Sequence, residues 1–304
     1  MNAIATRFFS FVEIQTKPAT IIPALVALAY VFYTTGRINV LSTLIYLVAA
    51  LLLDMSVTAI NNYFDKREEQ QIPHFSKPVS LGIIFTMLLV FAVLGLYLAY
   101  LHGITVLLAG AFCLLVGVAY TFGPVPISKS PYGELASGFT AGTVLMFIVV
   151  SINNPAFRPL GLALDIHYLR LALDIDLVGL LSFVLITLPI VFCAANITLA
   201  NNICDAEKDR PYRYTLPHSV GISNALRLYS GLYYGAYTAI TLAVLLGILP
   251  VWCLATLATI VPIQKNINRF LDKQEKNTTF ILSVRNFSLI LLVFTISIVI
   301  GGLL

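Results

Sequence analysis

Along the chain, long apolar runs alternate with short polar segments. A bilayer core of about 30 Å takes roughly 20 apolar residues per helix. Nine runs approach that length, at 18–35, 39–60, 79–101, 103–122, 134–152, 177–199, 223–247, 249–264 and 281–303. The pattern predicts an all-α membrane protein of about nine transmembrane helices, forming one domain over residues 1–304. The segment before the first run, with Arg7, Glu13 and Lys17, reads as an interfacial helix. No small-residue cleavage site follows that run, so no signal peptide is expected.

Composition agrees with the bilayer as main solvent: 59% of the 304 residues are hydrophobic, 11% are charged, and the mean hydropathy is +0.92. A soluble domain of this length is far less apolar. A net charge of +4 is a weak argument for nucleic acid, and none is expected as a partner. Cys113, Cys193, Cys204 and Cys253 have neither metal-binding nor disulfide spacing and read as packing residues.

The distribution of charge says more than its sum. Fifteen of the 18 Lys and Arg residues, all but Arg37, Arg158 and Arg170, fall at the N-terminus or in loops on one side of the predicted bundle. The positive-inside rule makes that side cytoplasmic, with the C-terminus outside.

Ionisable residues in membrane segments are costly and are functional candidates by default. Here they form two similar groups. NNYFDKREE occupies 61–69 and NNICDAEKD occupies 201–209, so that Asn-Asn-x-x-Asp recurs after 140 residues, both times at the cytoplasmic end of an apolar run. At about 100° per residue, positions i, i+4 and i+8 stay within a strip about 80° wide. Asn61, Asp65 and Glu69 share one strip, and Asn201, Asp205 and Asp209 share another. Asp54 and Thr58 extend the first towards the membrane; Thr198 extends the second. Helix ends returning to water would explain one such group, but they explain two copies of one spacing poorly.

Carboxylate and amide oxygens suit Mg²⁺, which bridges protein carboxylates to substrate phosphates. Two facing clusters could hold one diphosphate, with Lys129, Lys208, Arg210 and Arg213 as cations on the same side. Between the clusters lies AYTFGPVPISKSPYGE, 119–134, broken by Gly123, Pro124 and Pro126. It reads either as a substrate lid carrying Tyr120, Lys129 and Glu134 or as an ordinary tight connection. Asp54 is either catalytic or a buried carboxylate paired with a neighbouring helix.

These residues resemble the UbiA superfamily of intramembrane aromatic prenyltransferases over nearly the whole chain. The family pattern N-x-x-x-D-x-x-x-D falls on Asn61, Asp65 and Glu69, with Glu in place of the last Asp, and a similar pattern falls on Asn201, Asp205 and Asp209. The stretch 120–126, Gly133-Glu134, 201–210 and Thr215-Leu216 is most similar to the branch acting on 1,4-dihydroxy-2-naphthoate. Lys129 and Pro131-Tyr132 depart from that branch.

The resemblance implies a helical bundle around a central cavity in a bacterial cell membrane. It implies Mg²⁺-dependent transfer from a polyprenyl diphosphate to 1,4-dihydroxy-2-naphthoate, with loss of diphosphate and CO₂, giving demethylmenaquinone. In that reading Asp65 and Asp205 are catalytic and bind metal with Glu69, Asp209, Asn61 and Asn201. Lys129, Arg213, Lys208 and Arg210 bind diphosphate, and Tyr120, Glu134 and Asp54 serve the acceptor or lid. A different aromatic acceptor, such as 4-hydroxybenzoate or haem, and a cation-coupled transporter are the alternatives.

Overall fold

A computed structural model describes residues 3–68, 74–157, 159–165, 170–210 and 212–304; of residues 3, 65–68, 160–165 and 170–173 it describes the backbone. The helices are α1 (Ala3–Phe11), α2 (Pro18–Thr35), α3 (Val40–Glu68), α4 (Lys77–His102), α5 (Ile104–Thr121), α6 (Gly133–Phe139), α7 (Leu145–Asn153), α8 (Leu177–Asp209), α9 (Leu216–Val220), α10 (Ile222–Leu245), α11 (Ile260–Asp272) and α12 (Phe280–Leu303). A π-helical turn, Thr140–Val144, joins α6 to α7, and a 3₁₀ segment, Val251–Thr259, leads into α11.

Seven helical spans among the described residues are long and apolar enough to cross a membrane. The other two expected crossings differ in character. α10 has the length, but Asn224, Arg227 and its tyrosines lower its hydropathy. It buries one face in the bundle, with Ala225, Tyr229, Tyr233, Ala236, Ile240 and Ala243 wholly buried, while Leu228, Tyr234 and Leu242 on the other face are exposed. Its hydroxyls find partners inside the bundle, Tyr229 with Ser283 at 2.9 Å and Tyr237 with Thr259 at 2.7 Å. The run at 249–264 is not a single apolar helix. It starts as 3₁₀ and continues as α11, which is amphipathic: Ile263, Ile267 and Phe270 are buried while Lys265, Asn268 and Arg269 are exposed. The apolar count stops at 264 because one face turns polar, whereas the helix continues on its buried stripe.

The long connection after α7 contains a feature that the apolar pattern omits. β1 (Leu160–Asp165) pairs antiparallel with β2 (Arg170–Ile175) in a two-stranded hairpin, with Leu162 opposite Leu173. Each strand alternates in the two-residue period of a strand, but six residues are too short to stand out beside 20-residue runs.

In the seam between α6 and α8, close helix approach depends on glycine at two positions. A Cβ on Gly142 would lie 2.5 Å from Val191 Cγ2 and 2.7 Å from its backbone nitrogen, and one on Gly138 would lie 2.7 Å from the Val191 carbonyl. Small residues four apart let α6 and its π turn press against α8, as expected where lipid gives helices no hydrophobic reason to associate. Ser137–Thr198 at 2.8 Å and Thr143–Thr187 at 3.2 Å tie the same seam. α1 closes one end: Phe11 and the adjoining Val12 pack on Ala59, Ile60, Ile84 and Met87.

Candidate active site

Both Asn-Asn motifs are helical. The apolar run expected to stop at 60 continues as α3 to Glu68, and the one expected to stop at 199 continues as α8 to Asp209. Each Asn-Asn-x-x-Asp therefore sits on a helical extension of a spanning helix. Two contacts place these extensions at the same end of the bundle. Phe64, on the last turns of α3, packs its ring 5.2 Å from Phe122, which follows α5. Seven residues further along that connection, the Lys129 carbonyl accepts from the Tyr214 amide, beyond the end of α8, at 3.0 Å. The 122–132 segment thus spans the mouth between the two motifs.

The second asparagine of each pair is structural: Asn62 Nδ2 donates to the Phe11 carbonyl at 3.0 Å and to Glu13 Oε1 at 3.1 Å, fixing the N-terminal segment. Asn202, buried, donates to Glu134 Oε1 at 2.8 Å. Asn201 shares its face with Asp205, and Lys276, from the loop between α11 and α12, reaches both. Its Nζ donates to Asn201 Oδ1 and lies 2.6 Å from Asp205 Oδ2. Asp209 follows on the strip, with Arg213 Nε 3.9 Å from its Oδ2. Lys208 and Arg210 are exposed beside it, Lys208 close enough to act on Asp209 electrostatically. Glu69 and the side chain of Asp65 lie outside the described residues.

Lys276 was legible in the sequence only as one of the basic residues used for topology. It lies 71 residues from Asp205, and no local spacing joins them. Its loop is tightly built: the Glu275 carbonyl accepts from the amides of Thr279 and Phe280, each at 3.0 Å, and the Glu275 amide donates to Thr279 Oγ1 at 2.9 Å. Hydrogen bonds from Lys273 and Thr278 hold the Glu275 carboxyl below the usual carboxylate range.

Beneath the mouth, Asp54 is engaged on both oxygens, by Lys17 Nζ at 2.9 Å and by the Thr20 hydroxyl at 2.6 Å. Lys17 is almost wholly buried and also donates to Thr58 Oγ1 at 2.8 Å. Asp54 and Tyr120 line one cavity of about 230 Å³ with Thr20, Gly117, Ser137 and Thr140. Tyr120 meets Thr198 through its hydroxyl. Of the acceptor and lid candidates, Asp54 and Tyr120 share this cavity, whereas Glu134 is turned towards α8. A second cavity of about 220 Å³, walled almost entirely by apolar side chains including Tyr46, Phe91, Leu107 and Ile148, leads away from the mouth. Ala50, Leu53, Cys113 and Leu145 line both cavities.

The donor set suits a hard divalent cation. An amide and a carboxylate oxygen one helical turn apart are the ligands Mg²⁺ takes, and the Lys276 ammonium already rests on both. Among the described residues no three His, Cys, Asp or Glu converge into a metal group. Mg²⁺ does not require such a cage, since it keeps waters and takes substrate phosphates.

Spanning helices around an apolar interior, with both Asn-Asn motifs and most cations gathered at one end, are the architecture of an intramembrane enzyme. The chain belongs to the UbiA prenyltransferase family, whose profile matches residues 20–297, and it is a prenyltransferase. It is 25% identical over 251 residues to 1,4-dihydroxy-2-naphthoate octaprenyltransferase of Bacillus subtilis, covering 78% of this chain and 73% of that one. A UbiA homologue from Archaeoglobus fulgidus bound to GPP and Mg²⁺ shares the fold with a TM-score of 0.65 at 15% identity, over 98% of this chain and 100% of the other. Digeranylgeranylglyceryl phosphate synthase gives 0.62 at 14% identity, over 98% of each.

Proposed function

We propose that this prenyltransferase moves a polyprenyl group from its diphosphate to 1,4-dihydroxy-2-naphthoate, with release of diphosphate and CO₂, in a Mg²⁺-dependent reaction. The observation that carries the reading is the mouth itself: the 122–132 segment packs on Phe64 of α3, bonds Tyr214 just beyond α8, and follows Tyr120, which lines the cavity with Asp54. The activity of the Bacillus relative supports the acceptor.

Asp205, Asp209 and Asn201 on α8, with Asp65, Glu69 and Asn61 of the first motif, would hold Mg²⁺. When bound, it stabilises negative charge on the departing diphosphate. Lys129 and Arg213 flank the mouth as phosphate partners, with Lys208 and Arg210 at its rim. The apolar cavity takes the start of the prenyl tail and keeps water from the allylic cation. The acceptor lies between Tyr120 and Asp54, where the fixed Lys17–Asp54–Thr20 network shapes its seat. Its electron-rich ring attacks the cation.

Membranes containing the protein, given radiolabelled prenyl diphosphate, should label a lipid-soluble product with the naphthoate and Mg²⁺, and not with EDTA. Labelling with 4-hydroxybenzoate alone would keep the chemistry and overturn the acceptor. No labelling with any acceptor would overturn the reading.

A further inference from the structure

Lys276 sits where the second motif would receive a cation. Its ammonium contacts one oxygen from each of two residues a helical turn apart, Asn201 Oδ1 and Asp205 Oδ2, the latter at 2.6 Å. The Phe280 ring lies 5.1 Å from the same nitrogen. The contact joins the α11–α12 loop to α8. It is also directed: the neighbouring Lys273 is satisfied within the loop by Glu275 at 2.8 Å, and the turn built on the Glu275 backbone presents Lys276 to the motif. A chance surface pair would not need a loop fixed at both ends, nor would it select the two oxygens that share the strip.

The geometry points to Lys276 as the resident cation of the second motif. Before metal arrives, it occupies Asn201 Oδ1 and Asp205 Oδ2 and neutralises Asp205. It yields these oxygens when metal enters with prenyl diphosphate, and then pairs with the diphosphate. The reason is electrostatic. One ammonium and one divalent ion cannot share the same two oxygens, and the displaced ammonium, held on a short loop at the mouth, is left beside an incoming polyanion. At 42% side-chain exposure for Lys276 and 25% for Asp205, the pair is partly screened. Such a pair is weak enough to exchange. Lys276 is thus the counter-ion of Asp205 in the free enzyme and a substrate contact in the complex. The inference rests on the metal-dependent reading above and adds an exchange step to it.

The test is Mn²⁺ binding to the full-length protein, followed by electron paramagnetic resonance without substrate, for wild type, K276Q, K276R, K273Q and D205N. K276Q should bind Mn²⁺ about fivefold tighter than wild type because its competitor has gone. K276R and K273Q should stay near wild type. At saturating Mn²⁺, K276Q should also bind geranyl diphosphate several-fold more weakly. Mn²⁺ affinity in K276Q equal to or weaker than wild type would overturn the exchange while leaving the metal reading intact. Mn²⁺ binding unchanged in D205N would overturn both. Thermal unfolding of each variant confirms that the folded enzyme is compared.

Discussion

At the residue scale, each Asn-Asn pair divides into a ligand candidate and a structural anchor. Asn202 is buried and gives Glu134 its hydrogen bond, so N202A leaves a buried carboxylate without its donor. The expected loss is about 1–3 kcal/mol of stability, read as a fall in unfolding temperature. N201A removes an oxygen from the half-buried strip. It should leave stability within about 0.5 kcal/mol while lowering Mg²⁺-dependent turnover at least about tenfold in the prenyl-transfer assay. Reversal of that pattern would mean the roles are assigned the wrong way round. D54A should destabilise for a different reason, because Lys17, 2% exposed, would lose its counter-charge. Breaking a buried pair costs about 3–5 kcal/mol, and less here because Asp54 is 30% exposed. The sequence offered Asp54 two roles. The structure gives it the Lys17 and Thr20 partners and also a place on the cavity wall.

At the scale of elements, the seam between α6, its π turn and α8 positions Ser137 and Thr140 on the cavity and Thr198 on the motif helix. Gly142 lies against the Val191 backbone, so a methyl group there cannot be accommodated by a rotamer change alone. G142A is expected to cost about 1–3 kcal/mol through overpacking. G82A, where nothing lies within 4 Å, should be neutral or slightly stabilising, since Ala is the better helix former. Equal unfolding temperatures for the two would show that the seam is looser than drawn. Nothing in a list of apolar runs marks this seam, because Gly138 and Gly142 read as ordinary small residues until their neighbour is known. The same limit hid the hairpin and the split character of 249–272, where local backbone choice depends on packing as well as on hydropathy.

At the scale of the whole molecule, the motif end carries α1, both Asn-Asn extensions, the 122–132 segment and the α11–α12 loop, and with them most of the basic residues. That asymmetry predicts orientation: in intact cells a membrane-impermeant thiol reagent should label a cysteine placed at Leu304 and spare one placed at Thr278. The opposite labelling would invert the bundle. Sequence alone determined the membrane class, the helical architecture and the recurrence of Asn-Asn-x-x-Asp at two helix ends, because hydropathy, helical period and spacing are local properties that add along the chain. It did not determine which residues meet. Lys276 on Asn201 and Asp205, Lys17 on Asp54, and Asn202 on Glu134 join residues 71, 37 and 68 positions apart. Those pairings depend on which helix faces pack together, and only the tertiary structure decides that.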